Sequence, residues 1–145
     1  MRTRKKILIV DDDPDLCYIL QTVFEHLGYD SVVAVNGKEA VDLATSQLPD
    51  LILMDIMLPV MDGLQATCLI RENPNTHSTP ILAMTARVTL EDKKNCFRSG
   101  CDDFIAKPFT IKELISCIEK LLKQFERGKL SIGRREKDKL AGRCA

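Results

Sequence analysis

The chain has 145 residues, with 21 Lys/Arg balanced by 21 Asp/Glu and 45% apolar residues. That is room for one domain, which at this size buries roughly 70% of its unfolded surface and needs neither disulfides nor a structural metal to fold. No apolar run reaches the ~18 residues of a membrane span, and the basic "MRTRKK" start is followed by only four apolar residues, so neither a span nor a signal peptide is expected and the cytoplasm is the default location. The six cysteines (17, 68, 96, 101, 117, 144) form no C-x-x-C motif and fall mostly within apolar patterns, as reduced thiols do.

In chain order, "ILIV" (7–10) is the first strand-like run and leads into Asp11, Asp12 and Asp13. The Asp13-Pro14 step reads as a helix cap plus first helical residue. Behind it, Leu16, Ile19, Leu20, Val23, Phe24 and Leu27 recur at helical spacing up to Gly28. "SVVAV" (31–35), "LILM" (51–54), "PILAM" (80–84) and "DFIA" (103–106) are further short runs, continuously apolar for the most part, as strands buried on both faces are. Helical stretches are expected near 37–47, 63–72, 89–99 and 110–126, with Asp62-Gly63 making a turn that opens the second of these. Five β–α repeats predict an α/β fold: a five-stranded parallel sheet with right-handed crossovers and helices on both faces. Past Phe125 the periodicity fades. Residues 127–145 hold seven Lys/Arg against Glu136 and Asp138, leaving 14 basic and 19 acidic groups in residues 1–126. A domain over 4–126 with a basic C-terminal tail, frayed or disordered, is the expected organisation.

Chemistry collects at the strand ends. After the first strand come Asp11, Asp12 and Asp13; after the third, Asp55; after the fourth, Thr85; after the fifth, Lys107-Pro108. Parallel strands of an open sheet deliver their carboxyl ends to one edge, where ligand sites form. Two carboxylates ~4 Å apart repel by about 4 kcal/mol at an effective dielectric near 20, and one ammonium offsets only part of that for three carboxylates. With Asp13 assigned to capping, Asp11, Asp12 and Asp55 make an oxygen-only set suited to a hard divalent cation such as Mg²⁺. Beside Lys107 and a hydroxyl, such a pocket favours a phosphoryl group, with Asp55 as the nucleophile. His26 and His77 stand apart from the strand ends and carry no expected role.

The motifs "ILIVDDDP", "DLILMDIMLPVMDG", "ILAMTA" and "GCDDFIAKPF", in this order and spacing, resemble the two-component response-regulator receiver domain, with a stand-alone, chemotaxis-receiver-like organisation. The resemblance covers roughly residues 4–126 and implies a flavodoxin-like strand order 2-1-3-4-5. It implies that Asp55 accepts a phosphoryl group from the phosphohistidine of a histidine kinase or a phosphotransfer protein. Asp11, Asp12 and Asp55, with the backbone carbonyl of Met57, would hold Mg²⁺. Thr85 would bond the phosphoryl oxygens, Lys107 would pair with them, and Phe104 would change rotamer as Thr85 moves. The Lys107-Pro108 bond is cis in this family.

A signalling switch is therefore expected, not a turnover enzyme, with slow self-dephosphorylation. Two hydrolysis-tuning positions of the family are Met57 and Arg87 here, and neither positions water, so a phosphorylated state of minutes or longer is expected. Haloacid-dehalogenase-type phosphatases also use a strand-end Asp with Mg²⁺, but they need a second Asp two residues later, where this chain has Met57. No helix-turn-helix pattern follows the fifth helix, so output to a downstream protein target is expected over direct DNA binding. The basic tail would contact nucleic acid or another anionic surface only as a second possibility beside a solvated extension. Lys93, Asp102, Asp103 and Glu113 are candidates for the dimer charge pattern of DNA-binding regulators, but Cys117 stands where those relatives carry a basic residue.

Overall fold

The computed structural model describes residues 4–86 and 89–126, so the expectations about the 127–145 tail and Arg87 lie outside the described residues. Ten elements alternate: β1 (Lys6–Val10), α1 (Pro14–His26), β2 (Asp30–Ala34), α2 (Gly37–Gln47), β3 (Leu51–Asp55), α3 (Gly63–Glu72), β4 (Ile81–Thr85), α4 (Leu90–Ser99), β5 (Asp103–Ala106) and α5 (Ile111–Glu126). All strand pairs are parallel and the order is β2-β1-β3-β4-β5, as expected.

The strands are apolar on both faces because both are covered. Ile7, Ile9, Leu51, Leu53, Leu82 and Met84 meet Leu20 and Phe24 of α1 and Leu114 and Ile118 of α5. Their neighbours Leu8, Val10, Ile52, Met54, Ile81 and Ala83 point the other way, onto Ala40 and Ala44 of α2, Ala66 and Ile70 of α3 and Cys96 of α4. A period of two thus sorts each run into two cores.

Element ends differ from the sequence reading by one residue where a cap resembles helix. Thr89 accepts from the Asp92 N–H and caps α4 without belonging to it. Thr110 and Glu113 exchange backbone-to-side-chain hydrogen bonds ahead of α5. Asp13 caps α1, accepting from the N–H groups of Asp15 and Leu16, and Asp62 forms a capping box with Gln65 on α3.

Cys17, Cys96, Cys101 and Cys117 are free thiols, whereas Cys68, half-buried on α3, is disulfide-bonded, a departure from the all-thiol expectation. No helix among the described residues is long and apolar enough to cross a membrane.

Candidate phosphoacceptor and metal site

Register places the chemistry. Val10 lies opposite Met54, so Asp11 and Asp55 are the next pair along adjacent strands; Asp55 lies opposite Met84, and Thr85 opposite Ala106. The Asp11 N–H donates to the Ala34 carbonyl at 3.1 Å and the Lys107 N–H to the Thr85 carbonyl at 2.8 Å, extending the sheet by one step into the site. Lys107-Pro108 is cis.

Lys107 Nζ lies 2.7 Å from Asp11 Oδ2 and 3.4 Å from Asp55 Oδ2. The second oxygen of each carboxylate takes a backbone donor: Asp11 Oδ1 accepts from the Asp13 N–H at 2.9 Å, and Asp55 Oδ1 from the Met57 N–H at 3.0 Å. Asp11 is 1% and Asp55 5% exposed, yet each has partners on both oxygens, which is what makes such burial tolerable. Asp12 is exposed, and one oxygen from each of Asp11, Asp12 and Asp55 falls within a 4.8 Å group.

Burial raises the pKa of the Asp55 carboxyl, reinforced by the Asp11 charge, while Lys107 and the Met57 N–H pull it back only in part. Burial also works against the Lys107 ammonium, but the hydrogen bond to Asp11 and the charges of Asp55 and Asp11 outweigh it, so its pKa is raised. Three carboxylates and one ammonium therefore leave excess negative charge around an oxygen-only donor set. That set fits a hard divalent cation.

A cleft of about 540 Å³ adjoins the carboxylates, lined by Asp12, Met57, Asp62, Thr85, Asn95 and Cys96 among others. Thr85 is buried at the last position of β4. Phe104 sits away from the carboxylates, on β5. Its ring meets Phe97 of α4 edge-on, with centroids 6.1 Å apart, and Lys93 Nζ lies 5.0 Å above it.

The loop between β3 and α3 is held by two glycines. A Cβ on Gly63 would overlap the Asp55 carbonyl, and one on Gly37 would overlap the Met61 carbonyl, so both backbones approach more closely than any other residue permits. Between them Val60 adopts φ 68°, with the Met61 N–H bonding the Pro59 carbonyl at 2.7 Å.

The sequence reading missed Arg71. Its guanidinium, 5% exposed, donates to the carbonyls of Gly100 (2.9 Å), His77 (3.2 Å) and Thr79 (2.7 Å) and to Asp102 Oδ2 (3.1 Å). The signal was present: Gly63, Ala66, Thr67 and Ile70 form the buried stripe of α3, and Arg71 continues it at i+4 from Thr67. An arginine on a buried stripe requires a partner. That partner is Asp102, whose side chain is 4% exposed and also accepts the Ile81 N–H at 2.8 Å. Asp102 is thus turned inward, contrary to its expected place in a dimer charge pattern.

The sequence model of the family described as "Response regulator receiver domain" matches residues 7–119. Among curated relatives, a DNA-binding dual master transcriptional regulator of Synechocystis, RpaA, is 38% identical over 84% of this chain and 51% of its own length. An uncharacterized 14.6 kDa protein of Leptolyngbya boryana is 39% identical over 78% of this chain and 86% of its own. The chain spans about half the length of the regulators it matches. In structure it resembles the receiver domain of the sensor histidine kinase PA1611 from Pseudomonas aeruginosa, which was crystallised with a magnesium ion in its active-site cleft. The TM-score is 0.77, with 36% identity and coverage of 83% and 99% of the two chains. A phosphorylation-based switch is general to such domains, and sequence, strand order and strand-end chemistry agree: this chain belongs to the response regulator receiver family.

Proposed function

We propose that residues 4–126 act as the switch of a two-component phosphorelay, with Asp55 as phosphoacceptor. A histidine kinase or phosphotransfer protein would present a phosphohistidine; the P–N bond breaks as an Asp55 oxygen bonds to phosphorus, giving an acyl phosphate. The observation that carries this reading is the paired geometry of Asp11 and Asp55 on Lys107, which holds Asp55 buried, half-compensated and beside an open cleft.

Asp11, Asp12 and Asp55, with the Met57 carbonyl, are the groups that would hold Mg²⁺, which when bound supplies positive charge between carboxylates and phosphoryl oxygens. Lys107 adds a second positive charge, and the Thr85 hydroxyl a hydrogen bond to the phosphoryl group. Phe104, on its α4 platform, would report occupancy of the site to an outer face, where a protein target reads it. The domain serves as a substrate of its partner and loses its phosphoryl group slowly, without turning over a separate substrate.

The test is incubation with Mg²⁺ and a small phosphodonor such as phosphoramidate, followed by peptide mapping. Phosphorylation confined to Asp55, absent in Asp55→Asn, is expected. Modification at another residue, or an undiminished signal in Asp55→Asn, would overturn the assignment.

A further inference from the structure

Two thiols lie outside the phosphoryl chemistry and against one another. Cys96 is in the last turn of α4 and Cys101 just beyond it, both 2% exposed. Gly100, at φ 112°, ends the helix in the left-handed conformation; its N–H returns to the Phe97 carbonyl at 3.0 Å, and the Cys101 N–H to the Cys96 carbonyl at 3.0 Å. This paired closure folds the chain back so that the side chains at its two outer positions touch. In most helices that contact is apolar. Here both positions are cysteines, held together in one buried cluster.

The surroundings of the two sulfurs differ. Cys96, though only 2% exposed, is part of the wall of the cleft that Met57 and Thr85 also line. Cys101 lies behind it, its Sγ 3.9 Å from Thr67 Oγ1. Interaction between the two thiols lowers the Cys96 pKa and, with burial, raises that of Cys101. The other described free thiols are shifted the opposite way: Cys17 is pushed up to about 11 by burial and the Asp11 charge, and Cys117 is raised by burial. A thiol shifted toward thiolate at a cleft wall, with a second thiol in contact, has the attributes of a peroxide-reactive pair.

We propose that Cys96 and Cys101 form a reversible dithiol–disulfide site oxidised by a hydroperoxide. The Cys96 sulfur attacks the near oxygen of the peroxide, the O–O bond breaks, and Cys96 becomes a sulfenic acid as the far oxygen leaves with a proton as water or alcohol. The Cys101 sulfur then attacks the Cys96 sulfur; the S–O bond breaks, and the hydroxyl departs as water with the Cys101 proton. Peroxide is reduced by two electrons and the two thiols are oxidised to one disulfide. A dithiol reductant reverses the step by exchange. The bond ties the end of α4 to the start of β5, on the platform that carries Phe97 and Phe104. Redox state is thereby a second input to that face, independent of any role for Asp55.

The experiment is titration of the fully reduced chain with hydrogen peroxide, blocking of residual thiols and non-reducing tryptic mapping. Arg98 lies between the two cysteines, so trypsin separates them unless the disulfide holds them together. The expected result is a linked peptide pair that dithiothreitol separates. In Cys101→Ala, Cys96 should be trapped by dimedone as the sulfenic acid; in Cys96→Ala, Cys101 should stay unlabelled. Oxidation that leaves Cys96 and Cys101 unlinked, or dimedone on Cys101 in Cys96→Ala, would overturn the site. Hydrogen exchange in α4 should slow in the oxidised chain, and unchanged exchange would overturn the coupling to the switch face.

Discussion

Lys107 is bound more closely to Asp11 than to Asp55: its Nζ is 2.7 Å from the first and 3.4 Å from the second. The residue proposed to meet an incoming phosphoryl group is thus held mainly by Asp11, while remaining within ion-pair distance of Asp55, as a counter-ion for both. Replacing it with Ala leaves two buried carboxylates without their cation. Breaking a fully buried pair costs about 3–5 kcal/mol; with the Lys107 side chain 26% exposed, about 1–3 kcal/mol is expected. The same change removes a positive charge beside the proposed cation site, so Mg²⁺ affinity should rise several-fold while phosphorylation falls. Chemical denaturation and metal titration of Lys107→Ala measure both, and weaker Mg²⁺ binding in the variant would contradict the counter-ion role.

Asp55 yields a pH prediction of defined sign. Its folded-state pKa is raised, chiefly by burial, above the unfolded value of about 3.9. The unfolded chain therefore releases this proton first, and stability falls as pH rises through the window between the two values. Above that window the penalty is complete. Without Mg²⁺, Asp55→Asn should stabilise the fold at neutral pH and raise its melting temperature. The gain should shrink as the medium is acidified. Thermal melts of both proteins across pH 4–8 check this, with a destabilised Asn variant at pH 7 as the contrary outcome.

Arg71 and Asp102 form a buried ion pair outside the site that joins α3 to the segments flanking β4 and β5. Arg71→Ala leaves Asp102 charged and buried, and should destabilise by about 3–5 kcal/mol. Arg71→Lys should recover little, since one ammonium cannot span the carbonyls and the carboxylate together. Urea unfolding of the two variants against the parent measures the difference. Equal stability of Lys and Arg at this position would show that the charge, not the fork, matters.

The four charged residues of α4, β5 and α5 that the dimer pattern would use each have a partner within the chain. Asp102 serves Arg71, Lys93 covers the Phe104 ring, Asp103 Oδ1 accepts the Phe104 N–H, and Glu113 caps α5. Phosphorylation should therefore leave the 4–126 region monomeric. Sedimentation with and without a beryllofluoride acyl-phosphate mimic tests this, and a dimer formed only with the mimic would contradict it.

What could be read from sequence was whatever depends on local periodicity or on topology. The runs 7–10 and 51–54 named two strands, and the parallel order then required Asp11, Asp55, Thr85 and Lys107 to share an edge. Asp13 was separable from Asp11 and Asp12 because a cap before proline has its own signature. Arg71 with Asp102 was not legible as a pair, because 31 residues, including all of β4 and α4, separate them in sequence. The cap positions Thr89 and Thr110 were read as helix because the hydroxyl bonds that exclude them are invisible to periodicity. The thiol pair was hidden for the same reason: a spacing of five across Gly100 is unremarkable until the helix end folds back.

Asp11, Asp12 and Asp55 are proposed to hold a divalent cation. Titrating the isotope-labelled protein with MgCl₂ and following backbone amide shifts tests it most directly. Saturable shifts confined to the amides around Asp11–Asp13 and Asp55–Met57, abolished by Asp12→Asn with Asp55→Asn, are the expected result. Amides that stay unmoved at tens of millimolar Mg²⁺, roughly ten times the range of weak hard-cation sites, would rule out such a site.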